Sequence, residues 1–131
     1  MWHESMFDPF SVNINTRRGK IISYDRGLFQ LNSKSYPHFK ASDFFDLRLN
    51  VRTGIAHFRT ALTDNKGNIR KALYAYNAGQ SRVAHPPAST VAYAKSILNK
   101  YYSIQTRRES YVAKYKENTY TILLKPLIDN N

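Results

Sequence analysis

The residue type in this chain best suited to acid–base chemistry is glutamate, and there are three: Glu4, Glu109 and Glu117. Glu109 and Glu117 stand among Lys and Arg, where a solvated ion pair is the expected role. The neighbours of Glu4 are instead apolar: Trp2, Met6, Phe7 and Phe10. Because apolar surroundings raise the pKa of a carboxyl group, Glu4 is the candidate for an acid catalyst that works near neutral pH.

Charge and composition limit the classes of partner and of site. The chain has 131 residues, enough for one domain, and 20 Lys and Arg against 9 Asp and Glu give a formal charge of +11. Such a charge admits nucleic acid, an anionic membrane or cell wall as a partner and does not choose among them. The chain has no cysteine, and its four histidines lack metal-ligand spacing, so we expect neither a metal nor a cofactor. No apolar run reaches the roughly 18 residues of a membrane helix, and no signal peptide is visible at the start.

The first third of the sequence predicts little regular structure. Residues 1–7 resemble the last turn of a helix, which Asp8-Pro9 would end. Residues 10–26 lack helical periodicity and are interpreted as an exposed loop or short hairpin. Residues 27–32 fit either a helical turn or a strand.

Helical periodicity begins at about Asp46 and continues to Leu62, with a predicted inner face of Leu47, Val51, Ile55, Phe58 and Leu62. A second helix is expected to be capped by Asn68, to end at Gly79, and to bury Ile69, Ala72, Leu73 and Tyr76. A third is expected from Ser89 or Thr90 to about Tyr102. The tail from Gln105 is charged and then β-prone at 120–124, where a strand or a helix packed on the core is expected.

Three motifs occur in register: ESMFDP at 4–9, SYDRGLFQLNS at 23–33 and AYNAGQSRV at 75–83, followed by TVAY at 90–93. In order and spacing they resemble the soluble lytic transglycosylase family, over roughly residues 3 to 102. The small single-domain members associated with secretion and conjugation machines are the most similar. The resemblance implies a mainly α fold of the α+β lysozyme-like class, with helices around a glycan-binding cleft and a short loop or hairpin region at about 10–32.

The resemblance places Glu4 on the family's catalytic glutamate. In this family that residue protonates the oxygen between N-acetylmuramic acid and N-acetylglucosamine in peptidoglycan. It then acts as a base on the C6 hydroxyl of the muramic residue, which attacks its own anomeric carbon to give a 1,6-anhydro sugar. One carboxyl group can therefore serve as acid and then as base.

Substrate-binding roles follow by position. Gln30 and Gly27 fall on the Gln and the Gly of the family's Gly-Leu-Met-Gln motif, and Ser23 belongs to the same segment. Tyr76 and Asn77 fall on the Tyr-Asn pair beside the glutamate. Considered as residues alone, Tyr76 can stack on a sugar and Asn77 can bind an acetamido group, but core packing and a helix-end hydrogen bond are the alternatives.

Asp25 leaves the reaction type open. Its segment also resembles the lysozyme segment that carries the second carboxylate of the animal hydrolases. If Asp25 faces Glu4 at about 5–5.5 Å, a retaining hydrolase becomes possible, whereas an Asp25 farther away or paired with Arg26 would only position loops. We favour the transglycosylase outcome because the Tyr76-Asn77 motif belongs to that family.

The sequence departs from the family pattern at Phe29, where Met is usual, and at Ser89, where an acidic residue is frequent. Family members carry most of a helix before the glutamate, and here only three residues precede Glu4. We therefore expect a domain that lacks its first helix, and its activity is an open question. A non-catalytic peptidoglycan-binding remnant is one alternative. A basic nucleic-acid binder is another alternative, because the segment from Lys66 to Lys116 contains ten basic residues and one acidic residue, Glu109.

The expected organisation is a lysozyme-like transglycosylase domain at 1–104 and a basic C-terminal extension at 105–131. The expected partners are the glycan strands of peptidoglycan and a secretion or conjugation apparatus, with no specific nucleic acid and no transmembrane segment. We expect a monomer that acts in the periplasm or cell envelope, where the substrate lies.

Overall fold

In the computed structural model the backbone is described for residues 2–123 and the side chains for residues 3–114. The elements are a short helix α1 (Trp2–Ser5), a three-stranded sheet and three longer helices. The strands are β1 (Val12–Arg17), β2 (Lys20–Arg26) and β3 (Leu31–Asn32), and the helices are α2 (Leu47–Asp64), α3 (Ile69–Ala78) and α4 (Ala88–Leu123). Two 3₁₀ turns, Ala41–Phe44 and Gln80–Arg82, precede α2 and follow α3. The predicted mainly α fold with a small β region is confirmed.

The hairpin predicted at 10–26 forms, and its turn chemistry explains why. β1 and β2 pair antiparallel, and Arg17 opposes Lys20 across a two-residue turn. Both turn residues, Arg18 and Gly19, have positive φ. A two-residue turn of this kind has a backbone twist that matches the twist of the paired strands. β3 adds antiparallel to β2 through Asp25 opposite Asn32, so the strand alternative for the end of 27–32 is correct.

The helix starts follow their capping residues. The Asp46 side chain accepts a hydrogen bond from the Leu49 amide at the start of α2 (2.7 Å), and Asn68 accepts one from the Lys71 amide at the start of α3 (3.0 Å). Gly79, with φ of 88°, caps the end of α3. The cap at Asn68 and the end at Gly79 are both confirmed.

The predicted inner face of α2 is wrong in part. Leu47 and Ile55 are each 56% exposed, and the buried positions are Asn50, Gly54 and Ala61. The helix is rotated toward its polar and small residues, because Asn50 forms three internal hydrogen bonds and Gly54 admits the ring of Phe29.

The face of α3 is also shifted, since its buried residues are Ala72, Leu73 and Ala75 whereas Ile69 is 46% exposed. Ala61 of α2 meets Ala72 and Ala75 of α3 in the core, and Phe58, Leu62 and Val83 pack around them. Small residues at this contact let the two helix backbones approach closely.

α4 does not end near Tyr102 as predicted but continues to Leu123. No Gly or Pro occurs between Pro87 and Pro126, so nothing in the sequence stops the helix. The backbone at 120–123 is therefore helical, which contradicts the strand alternative there, and Leu124 lies outside the described residues.

The chain divides into two compact units, Met1–Ala94 and Lys95–Asn131. The first contains the sheet, α1 to α3 and the start of α4. In the second, the described basic side chains are exposed: Lys95, Lys100, Arg107, Arg108 and Lys114. The expected boundary between 104 and 105 stays a prediction.

Candidate active site

The position of Glu4 is set by two features at the C-terminal end of α1. Met6 and Phe7 take left-handed backbone angles (φ 50° and 66°), so the helix ends at Ser5. The hydroxyl of Ser5 is buried and donates to the carbonyl oxygen of Leu28 (3.0 Å), so α1 is tied to the segment between β2 and β3. The Glu4 backbone is thereby fixed against the turn that carries Gln30.

The environment of Glu4 differs from the one that its sequence neighbours suggest. Met6, Phe7 and Phe10 are 77%, 58% and 71% exposed, because the chain turns away after Ser5. The Glu4 carboxyl group is nevertheless part-buried, and this burial raises its pKa. The expectation of a raised pKa is therefore confirmed, but its cause is the groove around Glu4 and not those side chains.

Tyr93, in α4, is the direct partner of Glu4, since its hydroxyl donates to Glu4 Oε1. This hydrogen bond acts against burial and lowers the Glu4 pKa. Burial raises the pKa of Tyr93 itself, and the charge of Glu4 raises it further, so the hydroxyl keeps its proton. Tyr93 therefore holds the carboxyl group in place through one of its two oxygens.

Asp25 is held by the sheet and not by Arg26. Its Oδ2 accepts a hydrogen bond from Asn15 Nδ2 (2.7 Å) and its Oδ1 accepts one from Asn32 Nδ2 (2.6 Å). The Arg26 guanidinium lies instead over the rings of Tyr24 and Phe44, 4.5 Å and 5.4 Å from their centroids. The charge of Asp25 contributes a small rise in the Glu4 pKa, after the larger effect of burial.

The Asn32 amide also lies 3.1 Å from the hydroxyl of Ser23, which is buried. Asn15, Ser23, Asp25 and Asn32 thus form one polar wall that spans all three strands. The pairing of Asn15 with Ser23 and of Asp25 with Asn32 in the sheet register brings these side chains together.

Gly27 and Gln30 shape the turn between β2 and β3. Gly27 has φ of 74° and is buried, and a side chain there would overlap the Phe44 carbonyl and the Asn50 amide. Asn50, 1% exposed, accepts from the Phe29 amide and donates to the carbonyls of Arg26 and Phe44. This buried amide therefore fixes the turn from beneath.

Gln30 itself has φ of 48°, and its side-chain nitrogen donates to the carbonyls of Gly27 (2.9 Å) and Ser11 (3.2 Å). The amide nitrogen therefore binds the protein backbone. The side chain is held at the edge of the groove by these contacts.

Tyr76 and Asn77, at the end of α3, have structural partners and also face the groove. The Tyr76 hydroxyl donates to the Phe29 carbonyl (3.1 Å), and its ring packs nearly perpendicular to the ring of His57, with centroids 5.1 Å apart. Asn77 accepts a hydrogen bond from the buried Thr90 hydroxyl (2.7 Å). The internal hydrogen bonds agree with the structural alternative for these two side chains, and their contact with a sugar stays a prediction.

A groove of about 730 Å³ joins these elements. Six of the seven predicted site residues line it: Glu4, Ser23, Asp25, Gln30, Tyr76 and Asn77. Gly27 is absent from the lining, because it lies buried behind it and acts through the turn.

The groove also contains residues that the sequence did not single out as site residues: His3, Asn13, Asn15, Asn32, Tyr36, His57 and Tyr93. Among the described residues, no group of three or more His, Asp or Glu is placed to hold a metal ion. The arrangement offers one part-buried carboxyl group beside a wall of amides and hydroxyls, which suits acid–base chemistry on a polar, uncharged chain such as a sugar polymer.

The comparison with protein families agrees with this geometry. The family model described as transglycosylase SLT domain matches residues 1–99. The chain belongs to this family. Neither the search of curated proteins nor that of solved structures returned a match.

Membership of the SLT family establishes a general function, an action on peptidoglycan of the lytic transglycosylase type. SLT domain proteins act on this substrate outside the cytoplasm. None of the helices in the described part of the chain has the length and hydropathy to cross a bilayer.

Proposed function

We propose that this SLT domain cleaves the β-1,4 bond between N-acetylmuramic acid and N-acetylglucosamine in peptidoglycan and leaves 1,6-anhydromuramic ends. Glu4 is the acid and then the base. The observation that carries the proposal is the Glu4 carboxyl group, part-buried in a polar groove and held by Tyr93.

The raised pKa of Glu4 supports the first step. Because burial disfavours its charged form, the carboxyl group keeps its proton at a higher pH than an ordinary glutamate and can give it to the glycosidic oxygen. Once deprotonated, the same group can accept the proton of the C6 hydroxyl, and Tyr93 stabilises the carboxylate between the two steps. The rate is expected to fall as the pH rises through the Glu4 pKa.

The contacts of Asp25 are compatible with both reaction types, so the choice of the transglycosylase rests on the family and on the Tyr76-Asn77 motif. A retaining hydrolase needs its second carboxylate as a nucleophile or as a stabiliser of the anomeric centre. Both oxygens of Asp25 accept short hydrogen bonds from amides of neighbouring strands. These bonds hold the carboxylate in the wall of the groove and favour its ionised form, and the reaction products of an Asp25 variant decide between the two reaction types.

We further propose Ser23, Asp25, Gln30, Tyr76 and Asn77 as substrate-contacting residues, with Gly27 supporting the turn. The glycan strand is the partner that these polar side chains fit. Amides can pair with sugar hydroxyls and acetamido groups, and the aromatic rings offer flat faces to the sugars.

The test is digestion of purified sacculi followed by mass spectrometry. The wild-type protein is expected to release anhydromuropeptides, and Glu4→Gln to lower their yield by at least about a hundredfold. Glu109→Gln, which changes an exposed glutamate outside the groove, is the matched control and should leave the yield near the wild-type level.

Asp25→Asn separates the two reaction types. The transglycosylase proposal expects this variant to keep forming anhydro products at a reduced rate. Products that carry one additional water, lost completely in Asp25→Asn, would establish the hydrolase and refute the proposal. Binding to sacculi without release of product would establish a non-catalytic domain.

A further inference from the structure

A second groove, of about 760 Å³, lies next to the first on the exposed side of α2. The two grooves share four lining residues: Tyr36, His57, Ala75 and Gly79. A ligand in the first groove can therefore extend a branch into the second without leaving the surface of the protein.

The ridge between the grooves is a hydrogen-bonded pair. The Tyr36 hydroxyl lies 2.9 Å from His57 Nδ1, and the His57 and Tyr76 rings pack nearly perpendicular to each other. Tyr36 is also in ring contact with Phe39, which lines the second groove (centroids 5.1 Å apart). These contacts hold the side chains of the ridge in place between the two grooves.

The two grooves differ in chemistry. The first is rich in side-chain amides, which match hydroxyl and acetamido groups. The second has aliphatic and aromatic walls, such as Leu49 and Phe39, with the cation Arg52 near one end of α2 and the carboxylate Asp64 at the other. Such a set matches a chain that has apolar side groups and both kinds of charge, which is the chemistry of a peptide.

The length of the groove fits a short peptide. Arg52 and Asp64 are twelve positions apart on α2, so they are separated by about 18 Å along the helix. An extended peptide rises about 3.4 Å per residue, so about five residues span that distance.

We propose that the second groove binds the peptide stem attached to a muramic residue of the strand, with Arg52 paired to a carboxylate of that stem. This inference rests on the proposed function, because it takes the strand in the first groove to be peptidoglycan. It makes the protein selective for strands that carry stems over strands that have lost them.

The experiment compares two substrates: glycan strands with stems, and the same strands stripped by an amidase that cuts the bond between the muramic lactyl group and the peptide. For Arg52→Ala the ratio of kcat/KM on stem-bearing strands to kcat/KM on stripped strands is expected to fall about fivefold, as for the loss of an exposed ion pair. Arg59→Ala is the matched control, because Arg59 is an exposed arginine of the same helix that is absent from the groove lining. Its ratio should stay at the wild-type value.

Two results would overturn the inference. An equal loss on both substrates would mean that the groove holds further sugars, and no loss on either would mean that Arg52 contacts no substrate.

A binding measurement tests the stem site independently of catalysis. If the protein forms no anhydro product, the proposed function fails, but the stem site is still tested by binding. The stems released by the amidase are titrated into the protein by calorimetry. Wild type should bind them, and Arg52→Ala should bind them about fivefold more weakly. Absence of binding to the wild-type protein would also refute the inference.

Discussion

Asn50→Ala tests whether one buried amide holds the turn that carries Gln30. The side chain accepts one hydrogen bond, from the Phe29 amide (2.8 Å), and donates two, to the carbonyls of Arg26 (3.1 Å) and Phe44 (2.8 Å). Each such bond is worth about 1 kcal/mol net, so the variant is expected to lose about 3 kcal/mol of unfolding free energy. For a chain of this size the loss corresponds to a fall of about 10 °C in Tm.

Urea denaturation followed by circular dichroism measures the loss directly. Asn99→Ala is the control, since Asn99 is an exposed helical residue, and its change should stay within about 0.5 kcal/mol. If Asn50→Ala cost less than about 1 kcal/mol, the turn would be held by something other than this amide, and the reasoning would be wrong.

Two further predictions concern the Glu4 pair. Burial raises the Glu4 pKa on folding, so ionisation of Glu4 lowers the free energy of unfolding. The contribution of protonated Glu4 to stability is fully present below pH 4.5, the ordinary pKa of the group, and is lost as the pH rises through the pKa in the folded protein. Glu4→Gln should therefore have a higher Tm than wild type at neutral pH and an equal one near pH 4; a lower Tm at neutral pH would contradict a destabilised carboxylate. Tyr93→Phe removes a bond that favours the charged form, so the falling limb of the pH–activity profile should move to higher pH, with the maximal rate lower by about tenfold. Tyr102→Phe, an exposed change on the same helix, should leave the profile in place, and an unmoved limb in Tyr93→Phe would show that Tyr93 does not control Glu4.

The sequence predicted those features that depend on local chemistry. The caps of the helices follow from side chains that bond their own first turn, as at Asn68. The hairpin, one of the two alternatives for 10–26, turns at Gly19, where a glycine adopts positive φ without strain. The place of Glu4 at the end of a helix follows from Asp8-Pro9.

Features that depend on contacts between distant segments were missed. A hydrophobicity pattern cannot identify Asn50 as buried, because what compensates its polarity is a set of backbone groups 6 to 24 positions away. The same pattern misplaced the inner face of α2, since Gly54 contributes no apolar side chain of its own.

Tyr93 was within reach, because the segment at 90–93 resembles the family, but the sequence gives no sign that its hydroxyl meets a carboxyl group 89 positions away. The Asn residues of the hairpin could also have been found. Asn13 and Asn15 alternate on one strand, so once the hairpin is accepted they share a face, and both line the groove.

Gly54 limits how this domain can be made more robust. A glycine inside a helix normally costs about 1 kcal/mol relative to alanine, so replacing it is a standard route to thermostability. Here a methyl group would overlap the Phe29 ring. The backbone carbonyl of Phe29 accepts the hydrogen bond from the Tyr76 hydroxyl, and the next residue in the chain is Gln30. The gain in helical propensity would be offset by the displacement of Phe29, so this glycine, unlike most glycines inside helices, has to be kept in a heat-resistant variant.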